Sequence, residues 1–317
     1  VVWMKSAQVG ATEVINNALG YLIHREPCPI LVVQPTIEMA RAWSEDRLAP
    51  MVRDSPALTP LIHTRRSSEG SNNKLHKTFP GGHLTVAGAN SPAGLASRPV
   101  RVVLLDEVDR YPLSAGEEGD PIRLAEARTK TFHRRKILVV STPTVKGRSA
   151  IEREFEASDQ RYYYVPCPEC GHSQRLRWEQ VRWDGVDEQQ QPINVRYMCE
   201  ECGVLLEDRQ KRRMLDGGAW VATHPGRSIA GFHISELYSP WVRWEDTVAA
   251  FLAAKDSEET LTPWINTALG ELKEEYSARV EAHEIEERAE TYTVGIPPSP
   301  VLILTAGVDV QDNRLEV

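Results

Sequence analysis

Four short apolar runs, each ending abruptly on polar groups, constrain this chain more than any other feature. Val102-Val103-Leu104-Leu105 stops at the adjacent carboxylates Asp106 and Glu107. Val1-Val2-Trp3-Met4 stops at Lys5, Ile30-Leu31-Val32-Val33 at Gln34-Pro35-Thr36, and Ile137-Leu138-Val139-Val140 at Ser141-Thr142-Pro143. Runs this short with no polar alternation read as strands buried on both faces. Helical or loop-rich stretches separate them. The pattern predicts an α/β fold built on a mostly parallel sheet, with ligands at the carboxyl ends of the strands.

The residues at those ends suggest phosphate chemistry. A strand ending in Asp106-Glu107 can offer one carboxylate to Mg²⁺ and the other to an attacking water, although buried strands also end in solvated acids. Lys5-Ser6-Ala7-Gln8-Val9-Gly10-Ala11-Thr12 follows a strand and precedes a helical stretch. It supplies a turn, a cation and a hydroxyl for Mg²⁺ at the helix start, as a phosphate loop requires. The lysine usually stands just before the hydroxyl residue, where this chain has Ala11, but Lys5 is long enough to reach the same phosphates from the other end of the loop. An ordinary strand-turn-helix with a surface lysine fits the loop alone. Ser141 and Thr142 could sense the γ-phosphate, and hydroxyls also cap helices.

Four of the five cysteines form Cys167-Pro168-Glu169-Cys170-Gly171 and Cys199-Glu200-Glu201-Cys202-Gly203, with 28 residues between Cys170 and Cys199. Each Cys-x-x-Cys-Gly turn points two thiolates at one centre, and two turns complete a tetrahedral S₄ site for Zn²⁺. Disulfides or a redox pair compete with that reading, and the duplication favours zinc. The remaining Cys28 reads as a small buried hydrophobe. Arg161-Tyr162-Tyr163-Tyr164 and Arg175-Leu176-Arg177-Trp178 suit phosphate contact and base stacking, yet a purely structural ribbon fits them equally. There is no secretory signal and no long apolar span, which points to a reducing compartment and away from a membrane.

The net charge of −8 does not announce a nucleic-acid binder. Its distribution says more. Arg243 to Glu290 holds 13 acids and 5 bases, so this segment accounts for the whole excess. Arg123 to Lys136 holds six bases and one acid, a cluster that could track a phosphate backbone or form a solvated helix face.

The displaced lysine of Lys5-Ser6-Ala7-Gln8-Val9-Gly10, the stretch Ser91-Pro92-Ala93-Gly94-Leu95-Ala96-Ser97-Arg98, the block from Leu105 to Pro112 and Ser141-Thr142-Pro143 together resemble the large terminase subunit of tailed phages, lambda type. Tyr238-Ser239-Pro240-Trp241 and Asn266-Thr267-Ala268-Leu269-Gly270-Glu271 extend the likeness. The resemblance implies a P-loop ATPase that packages double-stranded DNA and carries an endonuclease. Implied partners are a small terminase subunit and a capsid portal, with a homo-oligomeric ring as the assembly and the host cytoplasm as the location. It implies that Lys5 and Thr12 hold the phosphates of ATP and Mg²⁺, that Asp106 holds Mg²⁺, that Glu107 activates water and that Ser141-Thr142 couples hydrolysis to movement. Some relatives carry an arginine where this chain has Gln8, leaving Arg98 or a neighbouring subunit to supply the transition-state cation.

The expected layout is an ATPase core over 1–165, a zinc-ribbon insertion over 166–220, a helical extension over 221–292, and a linker with the start of a nuclease over 293–317. Asp309, ending an apolar run after the proline-rich segment at 295–300, matches the first metal-binding carboxylate of that ribonuclease-H-like nuclease. Its partners would lie beyond Val317, and the chain begins within a strand, so the expectation is a fragment. Two competing readings are an ATP-dependent helicase or remodelling enzyme, and a zinc-ribbon nucleic-acid-binding module with an inactive nucleotide fold.

Overall fold

The computed structural model describes residues 1–62, 74–96 and 98–273, and the backbone of 309–311 and 314–316. The chain divides into two units, Val1–Glu274 and Glu275–Val317. In the first unit the elements run β1 (Val2–Lys5), α1 (Ala11–His24), β2 (Pro29–Gln34), α2 (Ile37–Trp43), α3 (Ala49–Asp54), β3 (His76–Phe79), β4 (Gly82–Gly88), α4 (Pro92–Ala96), β5 (Val102–Asp106), α5 (Pro121–Ala127), β6 (Lys136–Ser141) and α6 (Ala150–Glu156). They continue with β7 (Arg161–Pro166), β8 (Ser173–Arg175), β9 (Val181–Arg182), β10 (Arg196–Met198), β11 (Leu205–Leu206), α7 (Lys211–Asp216), β12 (Ala219–Ala222), β13 (Gly231–Ile234), α8 (Trp244–Ala254) and α9 (Glu258–Trp264).

The main sheet has the order β12-β7-β13-β1-β6-β5-β2-β4-β3, with β8 added on β7. From β7 to β4 seven neighbouring strands run parallel, and β12, β8 and β3 are antiparallel at the margins. The four apolar runs form its centre. Alternate residues face opposite layers: Ile30, Val32, Val102 and Leu104 pack with Ile15, Leu19 and Ile23 of α1, whereas Leu31, Val33, Val103 and Leu105 pack with Ile151 and Phe155 of α6. Burial on both faces explains why no polar residue interrupts these runs, since each buried Val, Leu or Ile side chain contributes about 2 kcal/mol.

After β1 the chain crosses by α1 to β2, three positions along the sheet, and only later turns back to fill the two places between with β5 and β6. That reversal of direction opens a crevice at the carboxyl ends of β1, β6 and β5. Within the helical extension expected over 221–292, the described residues hold a strand as well as helices. Gly231–Ile234 forms a strand inserted between β1 and β7, and only then do α8 and α9 follow. Its four residues include a histidine, so neither length nor hydropathy marked it.

A smaller sheet, β11-β10-β9, lies within the cysteine-bearing segment, with a core of Val165, Leu176, Val181, Tyr197, Leu206 and Met214 that also takes in Trp244 and Val248 of α8. In the second unit, β14 (Asp309–Gln311) and β15 (Arg314–Glu316) form an antiparallel pair with Asp309 opposite Glu316. The proline-rich segment at 295–300 lies outside the described residues.

Candidate functional site

Lys5 ends β1 and is buried, yet its ammonium has two partners: Nζ donates to Glu107 Oε1 at 2.7 Å and to Thr142 Oγ1 at 3.0 Å. Three strands that are neighbours in the order β1-β6-β5 thus bring together a cation, a hydroxyl and a carboxylate from positions 5, 142 and 107. The chain then turns into α1 through Gln8, at φ 55°, and Gly10, at φ 83°. Gly10 caps α1 without a side-chain acceptor, so the first amides of the helix face outward with its positive dipole end. A cleft of about 490 Å³ opens there, lined by Lys5, Gln8, Gly10, Thr12, Glu107 and Thr142 among others.

Not every loop residue faces the cleft. Ser6 is fully buried and its N–H donates to Ile234 O at 2.9 Å, while the Ala7 N–H donates to Thr267 O at 2.7 Å. Those two amides are committed to the protein, leaving the anion-facing donors to the segment from Gln8 to Thr12. Val9 and Ala11 line the cleft beside them, as does Ala7.

Asp106, the last residue of β5, is buried and accepts from Gln34 Nε2 at 3.1 Å. Burial raises its carboxyl above the ordinary value of 3.8; the Gln34 hydrogen bond opposes this and the Glu107 charge adds to it. A desolvated carboxylate with one neutral donor is suited to a cation. Glu107 occupies the left-handed region at φ 54°, ψ 53°, a conformation costly for a residue with a Cβ, and this turns its side chain toward Lys5. Asp109 then locks the segment in place: its carboxylate accepts from Thr144 Oγ1 at 2.9 Å and from the Ile151 N–H at 2.8 Å, and its own N–H donates to Ser141 Oγ at 3.2 Å. Ser141 is therefore a buried link between strand ends, whereas Thr142 reaches the cleft.

Arg98 does not join this group. It is exposed, with Nη1 3.4 Å from His76 Nε2 beside the margin strand β3, and it is absent from the cleft lining. Arg47 and Arg110 line the cleft instead, together with Thr267. Arg110 lies three residues past Glu107 and could have been suspected on that ground. Arg47, 3.5 Å from Glu13, and Thr267 carry no local signal. Trp241, 72% exposed, hangs over the loop, its ring edge 3.6 Å from where a Cβ on Gly10 would lie.

The four cysteines converge as a second centre. Their sulfurs lie within 4.8 Å of one another, with Cys167 Sγ 4.0 Å from Cys202 Sγ and Cys170 Sγ 3.8 Å from Cys199 Sγ. Tetrahedral Zn–S bonds of about 2.3 Å place sulfurs about 3.8 Å apart, so the donor set has the dimensions of an S₄ metal site and not of disulfides. The two turns are built alike: Gly171 and Gly203 sit at φ 75° and 69°, donating to Cys167 O at 2.9 Å and Cys199 O at 3.0 Å. Burial pushes the Cys199 thiol up, but N–H groups of Cys202 and Glu201 outweigh it and bring it to about 7. Cys28 is buried in the main core, as a small hydrophobe.

Asp309 opens β14 in the second unit. The basic cluster of Arg123 to Lys136 lies toward the amino end of β6, away from the strand ends that form the cleft. Among the described residues no helix is long and apolar enough to cross a membrane.

Residues 1–220 match the family described as phage terminase large subunit gpA, ATPase domain, and residues 229–317 match the terminase large subunit gpA endonuclease domain. The chain is 29% identical to the large terminase subunit of Enterobacteria phage P21 and 27% identical to that of Escherichia phage lambda, in each case over 99% of this chain and 52% of the relative. It therefore spans about half the length of these relatives. A solved structure, the large terminase ATPase domain of Thermus phage P74-26, aligns with a TM-score of 0.48 at 15% identity, over 86% of this chain and 88% of that one. The endonuclease match begins just before β13, a strand that in this structure completes the main sheet. With both matches together covering nearly all of its length, the chain belongs to the phage terminase large subunit gpA family.

Proposed function

We propose that this chain is the ATP-hydrolysing part of a motor subunit that drives double-stranded DNA into a phage capsid. The observation that carries the reading is Lys5 held between Glu107 and Thr142 at the end of β1, facing the uncapped start of α1. A lysine at the opening of the loop supplies the phosphate-binding charge that the position of Ala11 lacks. The triphosphate lies along the amides from Gln8 to Thr12, drawing Lys5 from Glu107. Thr12 and Asp106 are the residues that would hold Mg²⁺, which when bound neutralises charge on the phosphate oxygens. Glu107, freed from Lys5, accepts a proton from the attacking water at its Oε1. Arg110 and Arg47 are the cations of this chain placed to meet charge developing on the transferred phosphoryl group. Thr142, on the strand end linked to Asp109 through Ser141, reports loss of the γ-phosphate to the segment after β6.

Cys167, Cys170, Cys199 and Cys202 would hold Zn²⁺, which fastens the two turns and lets a segment of such short strands fold. The division that fits these roles is an ATPase core over 1–165, the zinc module over 166–220, an extension over 221–292, and the opening of a ribonuclease-H-like endonuclease over 293–317 with Asp309 as one of its metal-binding carboxylates. Membership of the family supports work on concatemeric DNA in the host cytoplasm, as a ring contacting a small terminase subunit and a portal. The test is Mg²⁺-dependent ATP hydrolysis by the purified protein, with and without duplex DNA. Turnover raised by duplex DNA is expected, and absence of nucleotide binding and turnover would contradict the reading.

A further inference from the structure

The π-helical turn Ile265–Leu269, which continues α9 and is capped by Gly270, lies more than 250 residues from the phosphate loop in sequence and directly behind it in space. Thr267 O accepts the Ala7 N–H at 2.7 Å, and Thr267 also lines the cleft. Gly270, in the left-handed conformation at φ 64°, ψ 28°, approaches the loop so closely that an added Cβ would stand 2.6 Å from Ser6 N and 2.7 Å from Lys5 C. On its other side, Asn266 Nδ2 donates to Thr144 O at 2.7 Å, and Thr144 binds the Asp109 carboxylate.

We infer that Asn266 and Gly270 are positioning residues of the ATPase, fixing the phosphate loop against the segment that follows Ser141-Thr142 so that Lys5 and Thr142 keep one geometry. The inference rests on the cleft being the ATP site. The turn is itself well held. His233 Nε2 is 3.0 Å from Gly270 O, and burial, with the Arg175 charge, lowers this histidine to about 4, so it stays neutral and donates. Trp264, just before the turn, meets Trp178 of the cysteine-bearing segment at 4.7 Å and Phe251 of α8 at 5.0 Å. A displacement of the cysteine-bearing module thus has a packed route to the loop: Trp178, Trp264, the turn, then Ser6 and Ala7. At the loop end the route is a backbone contact, the Ala7 N–H on Thr267 O, beside the groups that meet the phosphates, where small shifts cost much.

The test uses Asn266→Ala and Gly270→Ala in the whole protein, with ATP turnover expressed per nucleotide site counted by saturation with a fluorescent ADP analogue. For Asn266→Ala, kcat per site is expected to fall about tenfold or more while KM changes less than about threefold, because the contact orders catalytic groups without touching substrate. Gly270→Ala is expected to lose both kcat and nucleotide affinity, since its Cβ strikes the loop backbone. A merely structural role would lower the number of sites and leave kcat per site unchanged; that result overturns the inference. Should Asn266→Ala fail to fold, Asn266→Ser serves as the same test with the same two outcomes. Normal turnover in the parent with unaffected variants would defeat this inference alone, whereas a parent that binds no ATP defeats the reading beneath it as well.

Discussion

Glu107→Gln separates the two tasks that the structure assigns to the Lys5–Glu107 pair. The side chains are 2.7 Å apart, with Lys5 6% and Glu107 22% exposed. Removing one partner of a fully buried pair costs about 3–5 kcal/mol. Glu107 reaches the cleft, glutamine still offers an oxygen to Nζ, and Thr142 Oγ1 remains a second acceptor. The expected loss is therefore about 1 kcal/mol, or a fall of about 2–4 °C in Tm for a unit of this size. The effect on chemistry is larger. Glutamine orients water but cannot take its proton, so kcat should fall at least about 100-fold, equivalent to about 2.7 kcal/mol in the barrier. Nucleotide affinity should hold or improve, because the phosphates no longer compete with a carboxylate for Lys5. Equilibrium binding of a fluorescent ATP analogue and single-turnover hydrolysis measure the two effects separately. A kcat within about tenfold of the parent would remove Glu107 from the role of base, a group whose loss should cost more than this, and lost binding would show that the ion pair itself builds the site.

Two further predictions rest on buried groups and a third on the cysteine cluster. Asp106 has a carboxyl raised above 3.8 in the fold, so its ionised form opposes folding, a penalty that develops as pH rises from 3.8 through the folded value. Asp106→Asn should therefore raise the metal-free Tm at neutral pH, lose that gain toward acid, and abolish stabilisation by Mg²⁺; a lower Tm at neutral pH would refute the assignment. His233 falls from 6.5 to about 4 in the fold, so stability should decline as pH drops through that window, by about 3 kcal/mol in full, and denaturant titrations of His233→Gln should lose that component of the slope. An unchanged slope would mean that the ring is not buried neutral. The S₄ geometry predicts about one tightly held zinc per chain. Cys202→Ser should lose the metal and expose residues near 167–206 to protease before the main sheet melts, and metal analysis that finds none in reduced, folded protein would overturn it.

The centre of the sheet was legible because burial on both faces forces β1, β2, β5 and β6 to be continuously apolar. The strands β4 and β13 escaped notice for the opposite reason. Gly82–Gly88 is bounded by glycines and alternates with polar residues, and Gly231–Ile234 is short and carries His233. Local motifs placed Lys5, Gly10, Thr12, Glu107 and the four cysteines, since each depends on spacing within a few residues or on a duplicated turn. What sequence could not convey was direction and distance. Arg98 looked available for the phosphates, but it follows α4 and ends beside His76, away from the cleft. Ser6 and Ala7 looked like loop donors, but their amides are claimed by Ile234 and Thr267. The approaches of Asn266 to Thr144 and of Gly270 to Ser6 join segments more than a hundred residues apart, and no periodicity records such a pairing.

The central claim is that Lys5, at the opening of the loop, serves the phosphates of ATP. A crystal structure of the protein with a non-hydrolysable ATP analogue and Mg²⁺ tests it most directly. The expected result is the triphosphate along Gln8 to Thr12, Lys5 Nζ within about 3 Å of a phosphate oxygen, the ion on Thr12 and Asp106, and Glu107 released from the lysine toward water. An analogue bound elsewhere, or one bound in the cleft with Lys5 still on Glu107 and another cation on the phosphates, would contradict it.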